Sequence, residues 1–538
     1  MCTSHRPRGL RTAVTLLATA GLLATACSPG SSTERVAPMA ALPEAIPQAL
    51  LPYYTQRLTW HSCGPDGFQC ATMKAPLDYD EPGKATVDLA VSRKRATDRS
   101  GRVGSMLVNP GGPGGSAIQY LQAFAGIGYP KKVRARYDMV AMDPRGVGRS
   151  HPVECLPGRA MDAYAATDTT PDTQAERNRL VSAYRDFAAG CRKRSGAILP
   201  HVSTVEAAKD MDMFRAVLGD KKLNYVGASY GTFLGATYAG LYPERVGRLV
   251  LDGAMDPALS ARRMNVDQTA GFETAFKSFA KDCVRREDCP LADEKGTGKR
   301  AGTEKEGTRA ATGTTTPDEA ADNLKAFFRR LDRAPLPTGT HGRPLGEALA
   351  TTGVIAAMYD ESTWAQLRTA LTAAIKDKDG FALLALSDSY YERDADGRYA
   401  NLMAANAAVN CLDLPPAFHD PAGVEKDLPE FRKASPVFGD GLAWASLNCT
   451  YWPTPATGTP HRIEARGAAP IVVVGTTRDP ATPYKWARSL AGQLSSARLL
   501  TYEGDGHTAY GRGSTCIDSA INTYLLTGRP PTQGKRCT

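Results

Sequence analysis

The chain has 538 residues, 42% hydrophobic and 22% charged, with a formal net charge of +9. That length is ample for a large buried core, and the composition excludes a disordered or fibrous protein. Lysine and arginine are scattered rather than striped with aromatics, which argues against a nucleic-acid partner.

Residues 1–27 read as an export signal. Arg6, Arg8 and Arg11 precede an apolar stretch over residues 12–26, too short and wrongly flanked for a spanning helix. Ala24-Thr25-Ala26 suits an ordinary signal peptidase, and the same residues ahead of Cys27 suit a lipobox, in which Cys27 becomes lipidated. The expectation is export and anchoring to the cell membrane through that lipid, with free secretion as the alternative. Residues 28–52, rich in Ser, Pro and Ala, read as a tether.

The elements then follow in order. "TVDLAVSRK" alternates Val87, Leu89 and Val91 and predicts a strand, as do residues 105–109 and 137–143. Ser203 and Glu206 form a capping box that opens a helix, and Gly219 stops it. The strand "LNYVG", a helix ending near Pro243 and a strand over residues 248–253 come next. Alternating strands and helices with buried-type strands imply a parallel sheet covered on both faces. From about Met255 to Gly467 the chain reads as helical. Sheet character returns at residues 470–475 and 497–504, each followed by a helix. A helical insert (256–467) therefore divides one α/β domain into residues 53–255 and 468–538. Within it, residues 292–316 are charged and low in complexity, a segment that cannot bury a core.

Gly227-Ala228-Ser229-Tyr230-Gly231 matches G-x-S-x-G between a strand and a helix, the setting of a nucleophile elbow. A serine nucleophile needs a base, and the base needs an orienting acid. In the α/β-hydrolase order the acid comes next and the histidine last. His341, His419 and His461 lie in the insert, whereas His507 follows the last strand and is the candidate base. Asp479, after the preceding strand, is the candidate acid, and Asp505 the fallback. The oxyanion hole calls for two backbone N–H groups. Tyr230 supplies one. The loop "NPGGPGGS" supplies the other, from Gly112 or, second, Gly111. That loop lacks the Lys-Ser/Thr of a phosphate loop, which argues against nucleotide binding.

Of twelve cysteines, Cys2 leaves with the signal and a lipidated Cys27 takes another, which leaves ten. An even number in an exported chain reads as disulfides. The simplest guess joins neighbours: Cys63–Cys70, Cys155–Cys191, Cys283–Cys289, Cys411–Cys449 and Cys516–Cys537. No C-x-x-C spacing suggests zinc, and neither a metal nor an organic cofactor is called for.

The segments "NPGGPGGS", "DPRGVGRS", "GASYGT", "YPERV", "LDG", "RDPATP" and "GHTAYG", in this order, resemble secreted actinobacterial tripeptidyl aminopeptidases. These are α/β-hydrolases related to proline iminopeptidases, which usually carry His where this chain has Pro110. The resemblance spans residues 53–538. It implies an α/β-hydrolase fold, mostly parallel, with the insert as a helical cap before the last two strands. It also implies a serine exopeptidase that releases short peptides, tripeptides in particular, from free N-termini. Its partners would be peptides or proteins with a free N-terminus, and a monomer is expected. An exopeptidase has to pair the substrate's ammonium, and a cap carboxylate is the natural partner. Asp413, two residues after Cys411, is the first candidate, with Asp360 and Glu361 as alternatives. Two rival functions remain open. One is a lipase or esterase with the same machinery; the other is a catalytically silent envelope binding protein on this fold.

Overall fold

The apolar runs read as strands assemble into one ten-stranded sheet among the described residues. The computed structural model describes residues 36–292, 315–340 and 342–538. The signal, Cys27, residues 28–35, most of the 292–316 segment and His341 lie outside them. Residues Ala37–Thr538 form a single compact unit.

In chain order the strands are β1 (His61–Ser62), β2 (Phe68–Pro76), β3 (Thr86–Lys94), β4 (Gly104–Asn109) and β5 (Tyr137–Met142). They continue with β6 (Leu223–Ala228), β7 (Val246–Asp252), β8 (Ile471–Arg478), β9 (Ala497–Asp505) and β10 (Lys535–Cys537). The spatial order is β1-β2-β3-β5-β4-β6-β7-β8-β9-β10. β1, β2, β3 and β5 pair antiparallel in turn, and every later pairing is parallel. Parallel strands covered on both faces should be apolar throughout. Accordingly Val472, Val473 and Val474 are all fully buried, their side chains shared between the cores on the two faces.

Ser203 caps the helix Thr204–Val217 by the reciprocal bonds with Glu206. The insert between β7 and β8 carries helices Ala261–Cys283, Pro317–Arg333, Glu347–Met358, Trp364–Thr372, Phe381–Tyr390, Leu402–Asp413, Pro421–Ala434 and Gly439–Ala445. It has an apolar core of its own, built from Phe272, Phe276, Phe279, Phe327, Phe328 and Leu371 among others. Among its described residues, isolated bridges join Leu336 with Leu345 and Arg393 with Tyr399, and Arg462 with Pro38 outside it. No helix among the described residues is long and apolar enough to cross a membrane.

Two expectations need correction. Residues 28–52 are not a free tether throughout, because Met39 N–H donates to Arg462 O at 2.7 Å and Leu42 N–H to Leu241 O at 2.9 Å. Backbone groups bonded to the body fix the segment from there, which Ser/Pro/Ala composition cannot reveal. Three strands, not two, follow the cap. β10 is three residues long, too short to show a period, and it pairs with β9 beside the Cys516–Cys537 bridge. The ten cysteines form five neighbour pairs: Cys63–Cys70, Cys155–Cys191, Cys283–Cys289, Cys411–Cys449 and Cys516–Cys537.

Candidate active site

Ser229 stands between the end of β6 and the helix Tyr230–Leu241, with φ 56° and ψ −124°. A non-glycine residue held there is strained, and the strain persists only because the flanks fix it. The flanking glycines explain how. A Cβ on Gly227 would lie 2.4 Å from Gly231 O, and one on Gly231 2.9 Å from Asn109 Oδ1. Only glycine lets strand and helix approach so closely. Tyr225 Oη adds a bond to Gly231 O at 2.7 Å.

The loop after β4 lies directly on the serine. A Cβ on Gly111, at φ +97°, would sit 2.8 Å from Ser229 Cβ and 3.0 Å from Tyr230 N. Gly111 N–H donates to Asn109 Oδ1 at 2.9 Å. That bond removes the second-choice oxyanion donor and leaves Gly112 N–H and Tyr230 N–H without hydrogen bonds among the described residues. The "DPRGVGRS" segment braces the loop. Asp143 accepts from Ser116 Oγ at 2.8 Å, Ile118 N–H at 3.0 Å and Arg149 N–H at 3.0 Å. Arg145, fully buried, is spent on Asp210 at 2.7 Å.

His507 and Asp479 meet below the loop after β9. His507 Nδ1 lies 2.9 Å and 3.0 Å from the two Asp479 carboxylate oxygens. Asp479 is 2% exposed and also accepts from Ala481 N–H at 3.0 Å, Thr482 N–H at 2.8 Å and Thr508 N–H at 3.1 Å. Three amide dipoles and the imidazole stabilise a buried carboxylate that burial alone would penalise. His507 Nε2 is buried and makes no hydrogen bond among the described residues. In an unliganded hydrolase the base–nucleophile bond is often long and tightens with substrate. Asp505 is not the orienting acid, because both its oxygens pair with Arg478, at 2.8 Å and 2.7 Å.

The cap reaches this machinery. Tyr359 O accepts from His507 N–H at 2.7 Å, and the Tyr359 ring stands edge-on to the imidazole with centroids 5.5 Å apart. Asn406 Nδ2 donates to Pro113 O at 3.1 Å, which seats the helix Leu402–Asp413 on the glycine loop.

Asp413 is not available to a substrate amine. It is buried and accepts two hydrogen bonds from Thr204, one at 2.8 Å from N–H and one from Oγ1. It serves the N-terminus of the helix Thr204–Val217, the ordinary use of a carboxylate there. Asp360 pairs with Arg512 at 2.9 Å and accepts from Ser362 N–H. Burial pushes its carboxyl up, but the Ser362 bond and the Arg512 charge outweigh that and hold it below the usual value. Glu361 stands exposed beside it. Sequence reasoning passed over Glu392. It stands exposed at φ 51° and forms no side-chain ion pair or hydrogen bond among the described residues, and partial desolvation of its carboxyl pushes it up. It lines a cavity of about 850 Å³ with Gly114 and Ser116 of the glycine loop and Met161, Phe187 and Met403. Its positive φ is the one unusual feature, and nothing in the residues 391–393 announces it.

Carboxylate oxygens of Asp168, Asp332 and Glu347 lie within 4.8 Å of one another, the one group among the described residues with metal-ligand proximity.

Two family models match the chain. One described as TAP-like protein covers residues 435–537, and one described as alpha/beta hydrolase fold covers residues 104–332. Serine protease Hip1 of Mycobacterium tuberculosis is 36% identical over 88% of this chain and 88% of its own. Carboxylesterase B of the same species is 38% identical over 87% of this chain and 86% of its own. Tripeptidyl aminopeptidase of Streptomyces lividans is 31% identical over 89% of this chain and 86% of its own.

Proposed function

The chain belongs to the α/β-hydrolase family, in the group of these TAP-like serine hydrolases, and from that premise we propose a serine exopeptidase that releases short peptides, tripeptides in particular, from free N-termini. That it is a serine hydrolase of the peptidase type follows from the relatives. The observation that carries the mechanism is the His507 Nδ1–Asp479 contact at 2.9 Å, beside a strained Ser229 overlaid by a glycine loop.

Ser229 Oγ attacks the scissile carbonyl while His507 Nε2 takes its proton. Asp479 fixes the tautomer with the proton on Nδ1 and stabilises the imidazolium that forms. The N–H groups of Gly112 and Tyr230 receive the oxyanion. His507 returns the proton to the departing amine, and water then hydrolyses the acyl-enzyme by the same route. Glu392 replaces Asp413 as the partner of the substrate ammonium. Glu392 is exposed, its carboxylate is unpaired among the described residues, and it lines the same cavity as Gly114 and Ser116 of the glycine loop.

The test is a panel of di-, tri- and tetrapeptide anilides, each with a free and an acetylated N-terminus, beside acyl esters. Tripeptides with a free amine should be preferred, and acetylation should cost well over tenfold in kcat/KM, consistent with losing a charge-assisted contact of about 1.5–3 kcal/mol. Glu392→Gln should lose the same factor on free-amine substrates only. Indifference to acetylation defeats the exopeptidase reading. Indifference of Glu392→Gln alone defeats only that residue.

An esterase is the second reading, favoured by the 38% identity to a protein named carboxylesterase B. Ester turnover far above that of every free-amine peptide in the panel would select it. A silent binding protein would leave Ser229 unlabelled by a fluorophosphonate. We also propose export and a lipid anchor on Cys27, supported by the basic and apolar leader and the odd cysteine count without lipidation, and a monomeric state, which sedimentation analysis tests. Wild-type protein should partition into detergent and Cys27→Ser should not. A free thiol at an N-terminal Cys27 removes the anchor.

A further inference from the structure

The "LDG" segment at the end of β7 finds no use in the mechanism above. We propose that its Asp252 is a positioning residue that sets Ser229 and His507 against each other, and whose charge supports the imidazolium. The proposal rests on the triad reading.

One residue touches both halves of the site. Asp252 O accepts from Ser229 N–H at 2.9 Å. Its carboxylate accepts from Ala509 N–H, 3.0 Å to each oxygen, and from Tyr510 N–H at 2.8 Å. Thr508 N–H is held by Asp479 at 3.1 Å. The loop that carries His507 is thus clamped between two carboxylates, one on β7 and one after β8. The next residue, Gly253, donates to Val474 O at 3.1 Å, and a Cβ placed on it would lie 3.2 Å from His507 Cε1. The Asp252–Gly253 backbone therefore bridges the nucleophile and the base.

Asp252 is 3% exposed and forms no ion pair with Lys or Arg among the described residues. The titratable groups around it are His507, Asp479 and the phenols Tyr120, Tyr129 and Tyr510. Arg512 binds the His507 and Thr508 carbonyl oxygens and its charge is paired with Asp360. A buried carboxylate held by backbone amides and facing an imidazole is costly for a merely structural anchor, since a neutral acceptor would bond the same amides. It is useful where a proton is to be taken up nearby. When His507 accepts the Ser229 proton, a second negative charge besides Asp479 faces the cation.

The experiment uses Asp252→Asn in the full chain with p-nitrophenyl butyrate, which reports the triad independently of peptide specificity. Active sites are counted by fluorophosphonate titration. Asn keeps the shape and one acceptor oxygen and removes the charge. We expect kcat per titrated site to fall tenfold to a hundredfold with KM within twofold, and the acidic limb of kcat/KM to move to lower pH. Wild-type kcat per site with an unmoved acidic limb overturns the proposal, because an anchor alone would change only the melting temperature or the titratable fraction. Gly253→Ala is the second variant, read if Asp252→Asn does not fold. It presses on Cε1 and leaves the charge in place, so kcat per site should fall while the acidic limb stays. Wild-type turnover in Gly253→Ala then overturns the positioning role. Failure of the triad reading is separate: Ser229→Ala would still be labelled or active.

Discussion

Replacing Asp413 by Asn separates a structural carboxylate from one that binds substrate. Burial raises its carboxyl to about 7; the bonds from Thr204 oppose that shift and the charge of Glu206 adds to it. An unfolded aspartate titrates near 3.9, and each unit corresponds to about 1.4 kcal/mol, so the difference is worth ~4 kcal/mol in all. The sign follows from proton counting. Between about pH 4 and pH 7 the folded chain keeps a proton that the unfolded chain has lost, so this group's contribution to stability falls as pH rises and levels off above pH 7. The carboxamide that replaces it has no such dependence, yet still accepts one bond from Thr204. Guanidinium denaturation of both proteins at pH 5 and pH 8 reads the effect, because titrating groups that do not interact with Asp413 cancel at equal pH. The stability difference should move toward Asp413→Asn by about 3 kcal/mol between the two conditions. An unchanged difference refutes the burial argument. The ratio of kcat/KM for free-amine and acetylated peptides should not change, and its collapse would restore Asp413 as the amine partner.

Ser229→Ala should abolish hydrolysis and fluorophosphonate labelling while far-ultraviolet circular dichroism stays at the wild-type level; residual turnover near wild type removes the nucleophile. Asp479→Asn should lower kcat about 10⁴-fold, as in other triads that lose the orienting charge, with substrate binding little altered. Gly111→Ala puts a Cβ 2.5 Å from Ala228 O and 2.8 Å from Ser229 Cβ at a positive φ. It should destabilise by about 1–3 kcal/mol and lower kcat at least 10²-fold; a melting curve and a progress curve suffice.

The strands that frame the site were legible because buried parallel strands are apolar throughout: "LNYVG" and "PIVVVG" announce β6 and β8 without ambiguity. The elbow at Ser229 and the meeting of Asp479 with His507 were legible because chain order and strand ends constrain where such residues fall. Asp505, two residues before His507, ranks in sequence only as the fallback acid, and the Arg478 fork shows that it is spent. Asp413 misled for a related reason. Its true partner, Thr204, lies 209 positions away, and no local pattern encodes that contact. Asp252 ends an ordinary apolar strand, and its bonds to Ala509 and Tyr510 span more than 250 residues. Long-range hydrogen bonds to backbone carry no residue signature, so groups that act through them stay hidden.

The bond from His507 N–H to Tyr359 O has a practical consequence for redesign. Specificity modules inserted into hydrolases invite exchange between relatives, as interchangeable parts. Here His507, the proposed general base, leans on a carbonyl supplied by that module, and Asn406 of the same module grips Pro113 of the glycine loop. A graft across residues 256–467 would arrive with a different strut at each point and leave the imidazole aimed elsewhere. New selectivity is better sought by point changes on the cavity wall, around Met161, Phe187 and Met403, which carry no part of the scaffolding that holds the proton relay in register.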